Sequence, residues 1–326
     1  MLYPFKFEPI YKEKIWGSDN LKKYLNKNIP EKSKIGESWE VSDHKEGMSI
    51  ISNGELKGKS LHEVLIEYGR QLLGEKPDEK YLKRFPLLIK FIDANDKLSV
   101  QVHPDDKYAE KYENGEFGKT EMWYIVYAKP GANLIAGLKP GITKAEFKNL
   151  IETGEVETAL HKIEVKTGDV IFIPAGRIHA IMPGIIINEI QQNSDLTYRV
   201  YDWGRVGFDG KPRPLHIQKS LDVINFNDFT PDVARIHYSY VNTNIVAILV
   251  KCLYFQVEKY ILNEKIKFNC DGSSFNIFSV IDGYGILNWE KNSMELNKGE
   301  TILIPACIKN FSIYPQPTTT LIRSFI

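Results

Sequence analysis

Cysteine is scarce in this chain. Three occur in 326 residues, Cys252, Cys270 and Cys307, all in the last quarter and without CxxC spacing. They are too few for a disulfide framework and too far from the histidines for a zinc knuckle, so reduced, mostly buried thiols are expected. An excess of one charge sign is also missing. Lys+Arg and Asp+Glu both number 42, which leaves no long-range attraction toward nucleic acid or an anionic membrane, and an anionic ligand must be met by a local basic cluster. Long apolar runs are absent too. A stretch such as Ile245 to Val250 falls far short of the roughly 20 residues that span a bilayer. The N-terminal segment meets an acidic residue at Glu8 and has no uninterrupted apolar stretch, so it does not read as a signal peptide. A cytoplasmic protein without nucleic-acid or membrane partners is expected.

Strand texture is abundant. FPLLIKFIDA from Phe85, KLSVQVHPDD from Lys97 and EMWYIVYAKPGANLIAGL from Glu121 are rich in β-branched and aromatic residues and bounded by Asp, Asn, Gly and Pro, the composition of a sheet. Helix signals are few. Ser60 with Glu63 forms a capping box ahead of Leu61, Val64, Leu65, Tyr68 and Leu72 at helical spacing, which predicts a helix over about 61–73. Thr143 with Glu146 opens a helical excursion over about 143–160, and residues 217–224 are helix-like.

The organising stretch is GDVIFIPAGRIH, Gly168 to His179: a short buried strand over Val170–Ile173, a Pro/Gly corner, then one histidine at a fixed offset. Gly299 to Cys307 restates its first nine residues, but Cys307 replaces the glycine and Asn310 stands where the histidine would be. The second copy keeps the scaffold and loses the ligand. Such a repeat of short strands implies a mainly β protein of two jelly-roll barrels, an active one in residues 1–237 and a structural one in 238–326.

Two further pieces of a metal site lie upstream. Gln101 and His103 alternate onto one face of a strand ending at Pro104, and Glu121 opens a strong strand pattern. With His179 they supply two imidazoles and a carboxylate, an open site for zinc with a fourth position for Gln101, water or a substrate oxygen. Mn, Fe, Co or Ni would accept the same donors.

LSVQVHPDD, GKTEMWYI, GDVIFIPAGRIHAI and NEIQQNSDLTYRVYDWGR together resemble the class I mannose-6-phosphate isomerases, zinc-dependent members of the cupin superfamily. The resemblance runs over residues 10–220, and the C-terminal unit resembles the family's metal-free cupin. It implies that His103, Glu121 and His179 hold one Zn²⁺ per chain, that Gln101 matches a glutamine that is a ligand in longer relatives, and that Arg199 is the active-site arginine. Glu189, Lys119 and Ser99 match other pocket positions. Only 57 residues lie between Glu121 and His179, so the large helical domain of the long forms is absent, and the segment after Arg199 departs from theirs.

The implied reaction interconverts mannose 6-phosphate and fructose 6-phosphate through a cis-enediol, with the metal and the Arg199 guanidinium stabilising the developing charge. Glu189 and Lys119 are alternative proton carriers, since burial raises a carboxyl and a nearby metal lowers a lysine. For the phosphate, Ser99, Arg205, Lys211 and Arg213 are candidates, with at least one cation of the 205–213 loop reaching the site. A small phosphosugar is the expected partner, and a monomer or weak homodimer the expected state. An iron-dependent cupin oxygenase and a sugar-binding bicupin with a merely structural metal remain alternatives.

Overall fold

The computed structural model describes residues 1–228 and 233–326. The protein is mainly β, built on three large antiparallel sheets. One has six strands in the order Val170–Ile173, Glu121–Ala128, Ile185–Gln192, Leu87–Ala94, Ile35–Val41 and Ile10–Ser18. A second has five, Leu160–Glu164, Asn133–Leu138, His179–Ile181, Val100–Val102 and Tyr198–Tyr201. These two face each other. Ile92, Trp123, Ile125 and Ile171 from the first pack with Leu134, Ala136, Ile163 and Ile181 from the second in one buried cluster, which continues the alternation of inward apolar residues along each strand.

The third sheet, of nine strands, holds Tyr238–Val241 and every later strand, and it recruits Phe5–Lys6 from the N-terminus, which pairs with Thr301–Ile304. A continuous core joins it to the six-stranded sheet. Phe91 and Met122 lie in the same buried cluster as Val257, Phe275 and Leu303, and the Phe85 and Phe275 rings sit 4.7 Å apart. Among the described residues no sheet closes on itself as a barrel; the β layers are open sheets packed against one another. No described helix is long and apolar enough to cross a membrane.

Both capping boxes form, but glycine shortens each helix. Leu61–Tyr68 is capped by Ser60 and Glu63 and interrupted at Gly69, φ +44°, before the short helix Arg70–Leu73. Lys144–Thr153 is capped by Thr143 and Glu146 and ends at Gly154 in the left-handed region, with a 3₁₀ turn Val156–Ala159 beyond it. Ile217–Val223 is helical as expected. Two further helices, Asn20–Leu25 and Asp106–Tyr112, escaped the periodicity reading because they are barely two turns long. The cysteines are free, but Cys307 is exposed and the other two are only partly buried. The expectation of buried thiols fails for Cys307, which follows the Pro305-Ala306 corner at the rim of the third sheet.

The two copies of the Gly/Pro corner differ in what they demand of the glycine. Gly168 has φ +94° and open space where a Cβ would point, whereas at Gly299, φ +84°, a Cβ would collide with the Leu25 carbonyl oxygen. Gly168→Ala should therefore cost about 1–2 kcal/mol of backbone strain, while Gly299→Ala adds a clash with a neighbouring backbone and should cost about 3 kcal/mol or more. Urea unfolding of the two variants checks this; equal losses would contradict it.

Candidate active site

The strand registers bring the site together. On the six-stranded sheet Trp39, Lys90, Glu189 and Trp123 lie directly opposite one another on four successive strands, so their side chains share the face turned toward the five-stranded sheet. Glu121, two residues before Trp123, shares that face. On the five-stranded sheet Ala136, His179, Gln101 and Arg199 form the opposing row. Residues far apart in sequence therefore meet between two rigid sheets.

His103, Glu121 and His179 are fully buried, and one donor atom from each lies within 4.8 Å of the others. The Nδ1–H of His103 donates to the Leu196 carbonyl at 2.7 Å, and that of His179 to the Arg177 carbonyl at 2.9 Å. A carbonyl can only accept, so both rings carry their proton on Nδ1 and turn the Nε2 lone pair inward. There Nε2 of His103 lies 3.5 Å from Glu121 Oε2, and Nε2 of His179 lies 3.4 Å from Glu121 Oε1. Burial, joined for His103 by the nearby Lys119 charge, lowers both imidazoles, that of His179 to about 3, so they are neutral at pH 7. Lone pairs thus face a carboxylate, and both Glu121 oxygens and His179 Nε2 lack a hydrogen-bond partner. Buried acceptors that converge with most of their lone pairs unspent are what a cation would satisfy, and two imidazoles plus a carboxylate suit a divalent metal. Lys119 flanks the group, with Nζ 3.2 Å from His103 Nε2 and 3.1 Å from Glu121 Oε2.

A cavity of about 210 Å³ reaches Lys119 and Gln101, the immediate neighbours of these three residues. Ser99, Gln101, Lys119, Glu189, Arg199 and Arg213 all line it. Glu189 is buried, accepts from Trp123 Nε1 at 3.0 Å through Oε1, and leaves Oε2 without a hydrogen bond, 3.6 Å from Lys90. Burial, with the Glu121 charge nearby, raises its carboxyl above the ordinary range. Arg199 donates from Nε to Ser99 Oγ at 3.3 Å and from Nη1 to the Pro214 carbonyl at 2.9 Å. Arg205 and Lys211 are not brought to the cavity. Arg205 is drawn aside by Asp202, which accepts from its Nε at 3.0 Å, and by the Lys97 carbonyl; Lys211 is exposed beyond the cavity lining.

Residues 4–132 match the family described as phosphomannose isomerase type I, catalytic domain, and residues 245–326 match the mannose-6-phosphate isomerase cupin domain. The chain is 40% identical over 317 residues to the probable mannose-6-phosphate isomerase GmuF of Bacillus subtilis, which covers 96% of each sequence. It is 39% identical to the mannose-6-phosphate isomerase ManA of the same organism, covering 95% of each. The chain belongs to the type I phosphomannose isomerase family. A crystal structure of the mannose 6-phosphate isomerase from Bacillus subtilis superposes with a TM-score of 0.92 at 37% identity, covering 100% of both chains. A putative mannosephosphate isomerase from Archaeoglobus fulgidus shares the fold, with a TM-score of 0.76 at 24% identity over 98% of this chain and 96% of that one.

The cavity of this phosphomannose isomerase family member also contains charges that the motif reading missed. Lys90, 3% exposed, lies 3.7 Å from Glu37, 3.6 Å from Glu189 and 3.5 Å from Asp195, with its ammonium 4.7 Å from the Trp39 ring centroid. Lys14 pairs with Glu37 at 3.0 Å. A signal was present: Lys90 is the one charge inside the apolar run FPLLIKFI, and a buried lysine needs a carboxylate partner. The Gly36–Glu40 stretch, uninformative alone, supplies that partner from the next strand.

Proposed function

We propose that this chain is a metal-dependent aldose-ketose isomerase interconverting mannose 6-phosphate and fructose 6-phosphate through a cis-enediol. The observation that carries this reading is a buried His103–Glu121–His179 donor set with unpartnered acceptors, next to Lys119, which also lines a cavity holding a raised carboxyl and guanidiniums. Relatives named mannose-6-phosphate isomerase over nearly their whole length support it. A divalent ion in this set, zinc by the family resemblance, would supply Lewis-acid stabilisation of the negative charge growing on the enediol oxygens.

The chain's own residues do the rest. Glu189 takes the C2 proton of the open-chain aldose through its unpartnered Oε2 and returns it to C1, while the O2 proton leaves and O1 gains one, so the carbonyl moves from C1 to C2. A raised carboxyl suits both halves of that transfer. Lys119 sits where a substrate oxygen next to the metal ligands would receive a hydrogen bond, and Gln101, between His179 and Arg199 in register, orients a hydroxyl. Arg199 offers a guanidinium to the charge developing on the substrate. Residues 1–237 act as the catalytic unit and 238–326 as a cupin without a metal, the two taken as jelly rolls whose sheets remain open at their edges.

A coupled assay for fructose 6-phosphate tests the reading. Turnover of mannose 6-phosphate should vanish after EDTA treatment and return with added zinc. Oxygen uptake that depends on iron, or metal content without any isomerisation, would overturn it.

A further inference from the structure

Between the last strand of the five-stranded sheet and the helix Ile217–Val223, residues 202–216 form a loop whose feet are tied. Asp202, 6% exposed, accepts from Arg213 Nε at 2.7 Å and Arg213 Nη2 at 2.5 Å, and from Arg205. Val206 bridges Pro212, and the Gly207 N–H donates to the Lys211 carbonyl at 2.8 Å, closing a hairpin. Its tip crosses to the opposite sheet, where the Phe208 ring lies 5.7 Å from the ammonium of Lys34, next to the Ile35–Val41 strand. The loop therefore arches over the cavity from one sheet to the other.

Its three neighbouring guanidiniums are not equivalent. Arg205 is occupied by Asp202 and the Lys97 carbonyl and lies outside the lining. Arg213 binds Asp202 through Nε and Nη2 and lines the cavity, leaving Nη1 without a protein partner among the described residues. Arg199 likewise spends Nε and Nη1 on Ser99 and Pro214 and keeps Nη2. One buried carboxylate among three guanidiniums leaves positive charge uncompensated here, even with the mostly exposed Asp96 at 3.8 Å from Arg205. Arg199 lies two strands from His179 in the sheet, roughly 10 Å at the usual strand spacing. That is comparable with an open-chain hexose phosphate reaching from its carbonyl end to its phosphate.

We infer that Arg213, held in place by Asp202, grips the substrate's phosphate at the mouth of the cavity, with Asp202 as its positioning residue. The inference rests on the hexose-phosphate reading above. A guanidinium pinned on one edge by a carboxylate has already lost its rotamer freedom, so binding a phosphate oxygen costs little further ordering. Because the phosphate does not change during isomerisation, Arg213 contributes equally to ground and transition states, and its loss should appear in KM and not in kcat.

The test compares metal-loaded wild type with Arg213→Ala, Asp202→Asn and Asp202→Glu, measuring kcat and KM for mannose 6-phosphate, competitive inhibition by inorganic phosphate, and phosphate binding by calorimetry. Arg213→Ala should raise KM and the phosphate inhibition constant together by about tenfold or more, with kcat within about threefold. Asp202→Asn should shift both in the same direction by less, and Asp202→Glu should restore part of the loss, which a merely structural role would not produce. If Arg213→Ala does not fold, Arg213→Lys replaces it and should raise KM because it keeps the charge and loses the fork. Unchanged KM and phosphate affinity in the arginine variant, or a fall in kcat alone, would overturn the assignment to Arg213. Wild-type affinity in Asp202→Asn would overturn the positioning role. Wild-type protein that fails to turn over mannose 6-phosphate would instead remove the isomerase reading, and phosphate calorimetry would still report on Arg213.

Discussion

His179→Ala is expected to abolish isomerase activity and metal binding while leaving a folded protein. His179 is completely buried, its Nδ1 is anchored to the Arg177 carbonyl and its Nε2 points at Glu121 without a hydrogen-bond partner. Removing the ring takes away one of three donors, which should lower kcat by about 10³-fold or more, the scale of several kcal/mol that a bound cation contributes to charge stabilisation. The fold loses the hydrogen bond to the Arg177 carbonyl and the ring's packing against His103 and Trp123, at centroid distances of 4.8 and 5.3 Å, together worth about 1–3 kcal/mol. Arg199→Ala provides the contrast: it should keep the metal, because Arg199 stands two strands away, and still lose most turnover. Metal content by elemental analysis, kcat by the coupled assay and secondary structure by circular dichroism read the three quantities separately. Metal retained at wild-type stoichiometry in His179→Ala, with kcat within tenfold, would defeat the reading of the donor set. Metal loss in Arg199→Ala would mean that the arginine belongs to the binding shell.

Much of this site was legible in the sequence because it is built on strands. A strand ending at a Pro/Gly corner gives its next side chain a defined direction, so Gln101-Val102-His103 and GDVIFIPAGRIH could be read as pointing at a common place. The helices were legible where side chains close a capping box, at Ser60/Glu63 and Thr143/Glu146, and their ends were misplaced where a glycine stops the helix early, at Gly69 and Gly154. Lys90 was hidden for a different reason. Its meaning comes from Glu37 and Glu189, each on an adjacent strand but distant in sequence, and only the register places Glu189 directly opposite it and Glu37 diagonally across, two residues from Trp39. The 205–213 loop was the hardest to read. Which of several similar cations faces a cavity depends on which one a carboxylate pulls aside, and Asp202 takes Arg205 away while holding Arg213 at the lining.

Lys90→Met is expected to be the most damaging change outside the donor set, and its damage should depend on pH. Burial works against the Lys90 charge, yet Glu37, Asp195 and Glu189 outweigh it and hold the ammonium protonated above the ordinary lysine range. Burial likewise opposes the Glu37 carboxylate, but Lys90 and Lys14 keep it ionised well below the ordinary range. A carboxyl lowered on folding contributes stability above its unfolded value, lost as pH falls through the folded value; a lysine raised on folding contributes below its unfolded value, lost only as pH rises through the folded one. The pair therefore stabilises the fold fully between about pH 5 and 10. Methionine fills the space but leaves Glu37 and Glu189 buried without that cation, a loss of about 3–5 kcal/mol at pH 7. Lys14, 3.0 Å from Glu37, moderates the loss at one carboxylate only. The deficit should shrink below about pH 4.5, where the carboxyls take up protons in the unfolded chain as well. Function should suffer by a separate route. Without Lys90 the Glu189 carboxyl moves higher still, so the acid limb of kcat/KM shifts upward and kcat at pH 7 falls by about 10²-fold or more. Urea unfolding from pH 4 to 8, with the pH profile of kcat/KM, measures both. A deficit below about 1 kcal/mol that does not vary with pH, together with an unmoved acid limb, would show that Lys90 neither neutralises these carboxylates nor tunes Glu189.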